Sequence, residues 1–154
     1  MTQTRYEADF YAWTQHQAAL LRSGQLRELD VENLAEEIES MGRQERRELV
    51  NRLRVLMAHL LKWRFQPDRR CASWEATIAV QRSDLDDLVA DNPSLKPFLI
   101  EAFGKAYQSG RQLAIEETNL QPAIFPLEPP FDLDFVLTGD ILAADRPETP
   151  PDRP

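Results

Sequence analysis

The sequence predicts an all-α fold, a helical bundle of about four main helices with a long central helix and a proline-rich C-terminal arm. Apolar side chains recur every three or four residues through most of residues 4–118, which is the spacing of an amphipathic helix. Prolines instead stand at the ends of these stretches and in the residues after them, where no long helix can form. We therefore predict one helical domain over residues 1–145, including a packed arm at 119–142, and a flexible tail at 146–154.

Composition favours a cytoplasmic protein without a membrane partner. No apolar run approaches the roughly 18 residues that cross a membrane, and the first ten residues lack the apolar core of a secretion signal. Cys71 is the single cysteine, which excludes an internal disulfide and suits a reducing compartment.

The first two helices are predicted from helical spacing and from end signals. The first runs from about Thr4 to Gly24, with an apolar face of Tyr6, Phe10, Trp13, Leu20 and Leu21. The central helix begins at Asp30, whose carboxylate can accept a hydrogen bond from a first-turn amide, and it ends before Pro67. Its stripe comprises Leu34, Ile38, Met41, Leu49, Leu53, Leu56, Met57 and Leu60. Gly42, where the stripe weakens, marks a kink, a break or close packing; we expect one long helix.

The later elements follow from proline positions. A third helix begins at Cys71 or Ser73 and ends at Asn92. The fourth runs from about Leu95 to Thr118, with Pro97 tolerable only in its first turn. In the arm, prolines forbid a long helix, but one short turn is expected around 133–137, and the apolar side chains are expected to pack across the bundle.

The net charge of −8 is unevenly distributed. Residues 1–42 carry 3 basic and 8 acidic side chains, residues 43–70 carry 9 and 3, and residues 71–154 carry 6 and 15. Either the basic segment is compensated by acidic helices beside it, or it presents a basic stripe to an anionic partner. The acidic total argues against nucleic acid as that partner.

No common motif for a metal, a phosphate or a nucleophile is present, so no catalytic residue is assigned. The candidate metal ligands are Asp9, His16, Glu37 and His59. Neither histidine has a glutamate three residues before it, which is the ferritin-like spacing. The alternative is a hydrogen-bonded polar cluster that orders the bundle. In one continuous central helix, Glu37 and His59 would lie about 33 Å apart and could not share a site. We expect no metal and no cofactor.

Four cations form a candidate site for an anionic ligand or partner: Lys62, Arg64, Arg70 and Arg82. Trp63 and Trp74 are interleaved with them in the sequence, and such a mixture of cations and aromatic rings suits phosphates or stacked bases. Because the rest of the chain is acidic, a short anionic ligand or an acidic protein surface is easier to accept than a long polyanion.

Several short segments resemble one known family. They are Tyr6, Asp9-Phe10, Trp13, Gln17-Ala18, Leu20-Leu21-Arg22, Gly24, Leu29-Asp30, Asn33-Leu34, Glu36-Glu37-Ile38-Glu39, His59-Leu60-Leu61-Lys62-Trp63, Gln66-Pro67, Arg70, Ser73-Trp74, Thr77-Ile78, Gln81-Arg82, Asn92-Pro93-Ser94-Leu95, Tyr107 and Glu117-Thr118. Over about residues 5–137 the chain resembles the uncharacterised bacterial family called domain of unknown function twenty-nine. The resemblance implies an all-helical protein and carries over no catalytic residue. It also isolates a polar cluster, Gln17, Asn33, Glu37, Thr77 and Gln81, that forms a buried network or lines a site.

Three interpretations of function result. The first is a small cytoplasmic interaction module without catalysis of its own, monomeric or homodimeric, with apolar surface on the arm and the fourth helix. The second is a ligand- or metal-binding bundle, or an enzyme, that uses polar groups around Glu37, His59 and Gln81. The third is a nucleic-acid-associated protein that uses residues 43–70, which the overall charge disfavours.

Overall fold

The structure is a computed structural model that describes residues 3–143, with side chains from Tyr6 onward. Its α-helices are α1 Gln3–Ala8, α2 Phe10–Arg22, α3 Val31–Phe65, α4 Ala72–Asp91, α5 Leu99–Thr118 and α6 Leu133–Thr138. No β-strand occurs within the described range, so the predicted all-α bundle with a long central helix is confirmed. The tail predicted at 146–154 lies outside the described residues.

The first predicted helix is wrong at Asp9, where the chain forms two helices instead of one. The backbone of Asp9 leaves the helical region (φ −149°, ψ 85°), and its carboxylate accepts a hydrogen bond from the amide of Ala12 at 3.0 Å. An aspartate in this position satisfies an amide that the first turn of a helix leaves without a partner. Asp9 is therefore the N-cap of α2.

Helix α3 continues through Gly42 without a break, as expected. A Cβ atom at Gly42 would meet no heavy atom within 4 Å, so close packing does not explain the glycine. One glycine costs a helix about 1 kcal/mol relative to alanine, which a helix of 35 residues tolerates. The helix ends at Phe65, two residues before Pro67.

Pro97 delays the fourth predicted helix by four residues. A 3-10 helix forms over Pro93–Phe98, and the α-helix begins only at Leu99. Because proline has no amide hydrogen and its ring collides with the carbonyl four residues earlier, the α-helical pattern begins only after it. Helix α5 then ends at Thr118, and the next residue, Asn119, closes the last turn with a positive φ of 56°.

The described chain divides into two compact units at the boundary between Glu45 and Arg46, inside α3. In the second unit, one face of α3 packs with α4, α5 and the arm around a core that includes Leu53, Leu56, Met57, Leu61, Ile78, Leu85, Ala106, Tyr107, Phe125, Phe131 and Val136. The arm is thus part of this core. The prediction of a single domain over 1–145 stays a prediction.

Side chains of the helices hold the arm by donating hydrogen bonds to its backbone carbonyl groups. The largest set comes from Arg82, which reaches three carbonyls at the end of α6. Further bonds run from Tyr107 to Pro126, from Arg111 to Pro122 and Phe125, and from Arg64 to Pro130. A segment without long helices cannot satisfy these carbonyls by itself, so side chains satisfy them instead.

Gly110 allows close approach of α5 and α3. A Cβ atom there would stand 2.8 Å from the carbonyl oxygen of Arg54, whereas a Cβ at Gly104 would meet nothing within 4 Å. We expect Gly110→Ala to lower the free energy of unfolding by about 2 kcal/mol because backbone must move. Gly104→Ala, the matched control, should raise it by about 1 kcal/mol. Urea unfolding measures both; equal effects of the two variants would contradict the close packing.

Candidate functional site

In the first unit, α1 and α2 run antiparallel to the beginning of α3, and long-range hydrogen bonds hold them to it. The hydroxyl of Tyr6 donates to Glu37 at 2.5 Å, and the indole of Trp13 donates to Asp30 at 3.0 Å. The side-chain oxygen of Gln17 accepts the amide of Asp30 at 2.9 Å. Tyr6 thus contacts Glu37, whereas the later residues Trp13 and Gln17 contact the earlier residue Asp30, which is the pairing of a helical hairpin.

Asp30 is the centre of this hairpin. Besides the indole of Trp13, its carboxylate accepts the side-chain amide of Asn33 at 2.8 Å. The hydrogen bond from Asn33 and the one from Trp13 favour the ionised form and hold the pKa of Asp30 below its ordinary value, against the opposing effect of burial. Asp30, which the sequence predicted as the first residue of the central helix, thus joins α2 to α3.

A groove runs along this hairpin, and we call it the apolar groove. Its volume is about 260 Å³. Helix α2 contributes Phe10, Trp13, Thr14, Gln17, Ala18 and Leu21. Helix α3 contributes Leu34, Glu37, Ile38 and Met41. Only Glu37 among these carries a charge, so the surface offered by the groove is almost entirely apolar.

The apolar groove leaves large side chains in contact with water. The exposed fractions are 49% for Phe10, 50% for Leu21, 67% for Ile38 and 64% for Met41. Among residues 6–45, the buried side chains are those of Trp13, Gln17 and Leu20. The hairpin therefore has a very small core of its own and presents on its surface the kind of side chains that fill the core of the second unit.

Gln17 lines the apolar groove and carries an unsatisfied buried donor. Its side chain is 1% exposed, and its Nε2 has no hydrogen-bond partner within the described structure. The bond from the amide of Asp30 fixes the oxygen, so the nitrogen cannot be exchanged with it. A buried donor of this kind costs about 1–3 kcal/mol until an acceptor reaches it.

The candidate metal ligands do not come together. Asp9 caps α2, Glu37 accepts from Tyr6, and His16 lies half-buried on α2. His59 lies in the second unit, where its Nδ1 donates to the carbonyl of Val55 at 2.8 Å. Burial lowers the pKa of His59 below its ordinary value. Within residues 3–143, no three His, Cys, Asp or Glu side chains gather in a way that could hold a metal ion.

The polar cluster predicted from the resemblance is divided between the two units. Gln17, Asn33 and Glu37 belong to the hairpin contacts described above. In the second unit, Thr77 donates to a carbonyl of its own helix. Gln81 accepts from Arg52 at 3.4 Å, beside the ion pairs of Arg52 with Asp84 and Glu48. These last groups tie α4 to α3, so Glu37, His59 and Gln81 each have a separate set of partners.

Two of the four candidate cations are engaged inside the second unit. Lys62, 6% exposed, forms an ion pair with Glu117 at 2.5 Å and lies 5.1 Å from the ring centre of Trp74. Arg82 donates to the arm, and burial lowers its pKa. These two side chains stabilise the fold by the contacts they already make.

The other two cations line a cavity of about 330 Å³ in the second unit. Arg64 donates there to the carbonyl of Pro130 at 3.1 Å. Arg70 donates to the carbonyl of Trp63 at 2.7 Å, and its guanidinium stands 5.0 Å from that ring. The remaining lining comprises Leu60, Trp63, Pro130, Phe131, Asp132, Phe135 and Ile141. The structure thus brings together Arg64 and Arg70, each already bonded to backbone.

Sequence reasoning missed the apolar groove because it treated Ile38 and Met41 as part of one continuous apolar stripe of the central helix. It also missed the donor of Gln17 and the bonds that Trp13 and Tyr6 make to α3. The signal available was two short apolar stripes, one before Gly24 and one after Asp30, with few further apolar residues nearby to cover both.

Comparison with known proteins identifies a family for this chain. Residues 5–142 match the model of a family described as "Domain of unknown function DUF29", which confirms the resemblance found in the sequence. No curated protein and no solved structure matches the chain. A search of the described helices finds none with the length and apolarity needed to cross a membrane.

Proposed function

The chain belongs to the DUF29 family, and we propose that this member is a partner-binding module that docks another protein in the apolar groove of its helical hairpin. One observation carries the proposal. One continuous groove is lined by four large apolar side chains that are each about half exposed or more: Phe10, Leu21, Ile38 and Met41. Contiguous apolar surface of this kind marks sites of protein association.

The free energy available in the apolar groove is sufficient for specific binding. Fully burying one exposed large apolar side chain contributes about 1.5–3 kcal/mol, and these four side chains are 49–67% exposed in the free protein, so each contributes about half to two-thirds of that on association. Association also costs free energy, because the partners lose translational freedom and their interface side chains become ordered, and this cost reduces the gain from apolar burial. The remainder supports a reversible complex, which suits an adaptor.

Competing interpretations have less support in the contacts. A nucleic-acid surface on residues 43–70 would need cations that are available to phosphate groups. Three of them already form ion pairs within the protein: Arg43 with Glu36, Arg52 with Asp84 and Lys62 with Glu117. A ligand site around Glu37, His59 and Gln81 would need those groups in one place, and each has separate partners. The face predicted on the fourth helix is covered, since Ala106, Tyr107, Gly110 and Ala114 are buried.

The proposed setting is the bacterial cytoplasm. An exposed thiol at Cys71, the single cysteine of the sequence, is compatible with a reducing compartment. The proposed partner is accordingly a cytoplasmic protein.

Site-specific photo-crosslinking in the native host tests the docking function. A photoreactive phenylalanine analogue at Thr14, which lines the apolar groove, should give one dominant cross-linked product. The control position is Ile100 in the second unit, which is 79% exposed but does not line the groove. It should give only weak and heterogeneous products.

The comparison between these two positions decides the result. Ile100 is more exposed than Thr14, so exposure alone would not favour a cross-linked product from Thr14. Equal product patterns from Thr14 and Ile100, or no product from Thr14, would contradict the proposal.

A further inference from the structure

We propose that the occupant of the apolar groove is an amphipathic helix of a partner protein, with basic flanks and with one neutral side-chain oxygen at its centre that accepts a hydrogen bond from Gln17. This inference rests on the proposed docking function and adds the chemistry of the partner. Three observations lead to it: the charge of the hairpin, the unsatisfied donor of Gln17, and the length and shape of the groove.

The charge of the first unit selects basic flanks. Residues 1–45 carry four basic and nine acidic side chains, a net charge of −5. Glu37 lines the groove itself, and Glu45 follows Met41 by four residues, which places it on the same face of α3. Arg43 does not offset these groups, since it is paired with Glu36. Complementary charge on a partner favours encounter and orientation.

The same charge argues against a second copy of this hairpin as occupant. A symmetric pairing would place the same surface patch on both sides of the contact, so that each hairpin of net charge −5 would face another of the same sign. Like charges in such an arrangement oppose association. A basic partner avoids this repulsion.

The unsatisfied donor of Gln17 predicts a hydrogen-bond acceptor at the centre of the partner helix. Gln17 lines the groove, and its buried Nε2 has no hydrogen-bond partner in the described structure, while its oxygen is fixed by the amide of Asp30. A helix cannot offer its own backbone carbonyls, because these are used within the helix. The acceptor at the centre of such a helix is therefore a neutral side-chain oxygen, such as that of Asn, Gln, Ser or Thr. A carboxylate is disfavoured by the acidic surroundings.

The dimensions of the groove select a helix. From Phe10 to Leu21 it extends about 17 Å along α2, or about three helical turns. An occupying helix would place apolar anchors at intervals of three and four residues beside these side chains, as helices in grooves do. Gln17 lies between the two ends, so a single polar residue among the anchors fixes the register of the partner helix.

A displayed peptide library tests the chemistry directly. The library contains amphipathic helices of about 18 residues with fixed apolar anchors, while the central position and the flanks are randomised. The full chain is the bait, and clones that also bind Ile38→Glu/Met41→Glu are removed, so that only groove binders remain. We expect Lys and Arg at the flanks, and Asn, Gln, Ser or Thr at the centre about fivefold above their share in the starting library.

A second selection on Gln17→Met assigns the central preference to the hydrogen bond. With this bait the preference for a polar centre should disappear while the basic flanks persist. Should Gln17→Met fail to fold, binding of one selected peptide and of its centre-to-leucine analogue to the natural chain gives the same comparison, with about fivefold weaker binding expected for leucine.

Acidic flanks, an apolar centre on the natural chain, or no enrichment of helices would each overturn the inference. A cross-linked product from Thr14 that consists of two copies of this chain would overturn it too, but would leave docking in the groove intact. Absence of any specific product from Thr14 would instead remove the docking function itself. The two failures are therefore distinguishable.

Discussion

Replacing Arg82 with methionine is expected to lower the free energy of unfolding by about 3 kcal/mol and to loosen the C-terminal arm. The guanidinium of Arg82 donates to the carbonyls of Val136 at 2.9 Å, Gly139 at 2.8 Å and Phe135 at 2.8 Å. Methionine retains the apolar stem and removes all three donors, so that the carbonyls of Val136 and Gly139 lose the Arg82 donor, while the carbonyl of Phe135 keeps only the amide of Gly139. Urea unfolding gives the free energy, and hydrogen exchange at the amides of Val136 and Gly139 reports on the arm.

Arg64→Met is the matched control for this prediction. Arg64 also donates to an arm carbonyl, that of Pro130, but it makes this one bond from an exposed position. Its loss should change the free energy of unfolding by less than about 1 kcal/mol. The anchoring role of Arg82 would be refuted if Arg82→Met behaved like Arg64→Met and left exchange in the arm unchanged.

Much of the fold could be predicted from the sequence because helical periodicity is a local property. The stripe from Leu49 to Leu60 and the stop at Pro67 are visible in a few turns of sequence, and the structure agrees with both. The break at Asp9 was missed because the apolar spacing continues across it. Only the backbone angles show that Asp9 caps a new helix instead of standing inside one.

The groove could not be predicted for a different reason. A stripe such as Leu34, Ile38 and Met41 shows that one face of a helix is apolar, but it does not show what covers that face. In the second unit the continuation of the stripe, from Leu49, is covered by α4, α5 and the arm. In the first unit Ile38 and Met41 remain exposed, and only the coordinates distinguish the two cases.

The candidate polar residues also have partners that lie far away in the sequence. Arg82 bonds with residues 53 to 57 positions away, and Trp13 with a residue 17 positions away. No periodicity connects such pairs, since each depends on how complete elements pack. For this reason the sequence could nominate Arg82 as a cation for an anionic ligand but could not show that the arm already uses it.

Placing two carboxylates in the apolar groove is expected to abolish docking and to leave the fold intact. Ile38 and Met41 are 67% and 64% exposed, so Ile38→Glu/Met41→Glu should change the free energy of unfolding by less than about 0.5 kcal/mol each. Burial of the new charges against a partner would cost several kcal/mol. A matched pair of changes on the second unit is Val80→Glu/Ile100→Glu, which replaces residues that are 53% and 79% exposed.

The most direct measurement of the docking function is the yield of the dominant product cross-linked from Thr14, compared between these two double variants and the natural chain. We predict that Ile38→Glu/Met41→Glu lowers the yield about tenfold or more, the equivalent of about 1.4 kcal/mol of binding free energy. Val80→Glu/Ile100→Glu should leave it unchanged. If both double variants retain the product, or both lose it equally, the apolar groove is not the site at which this protein binds its partner.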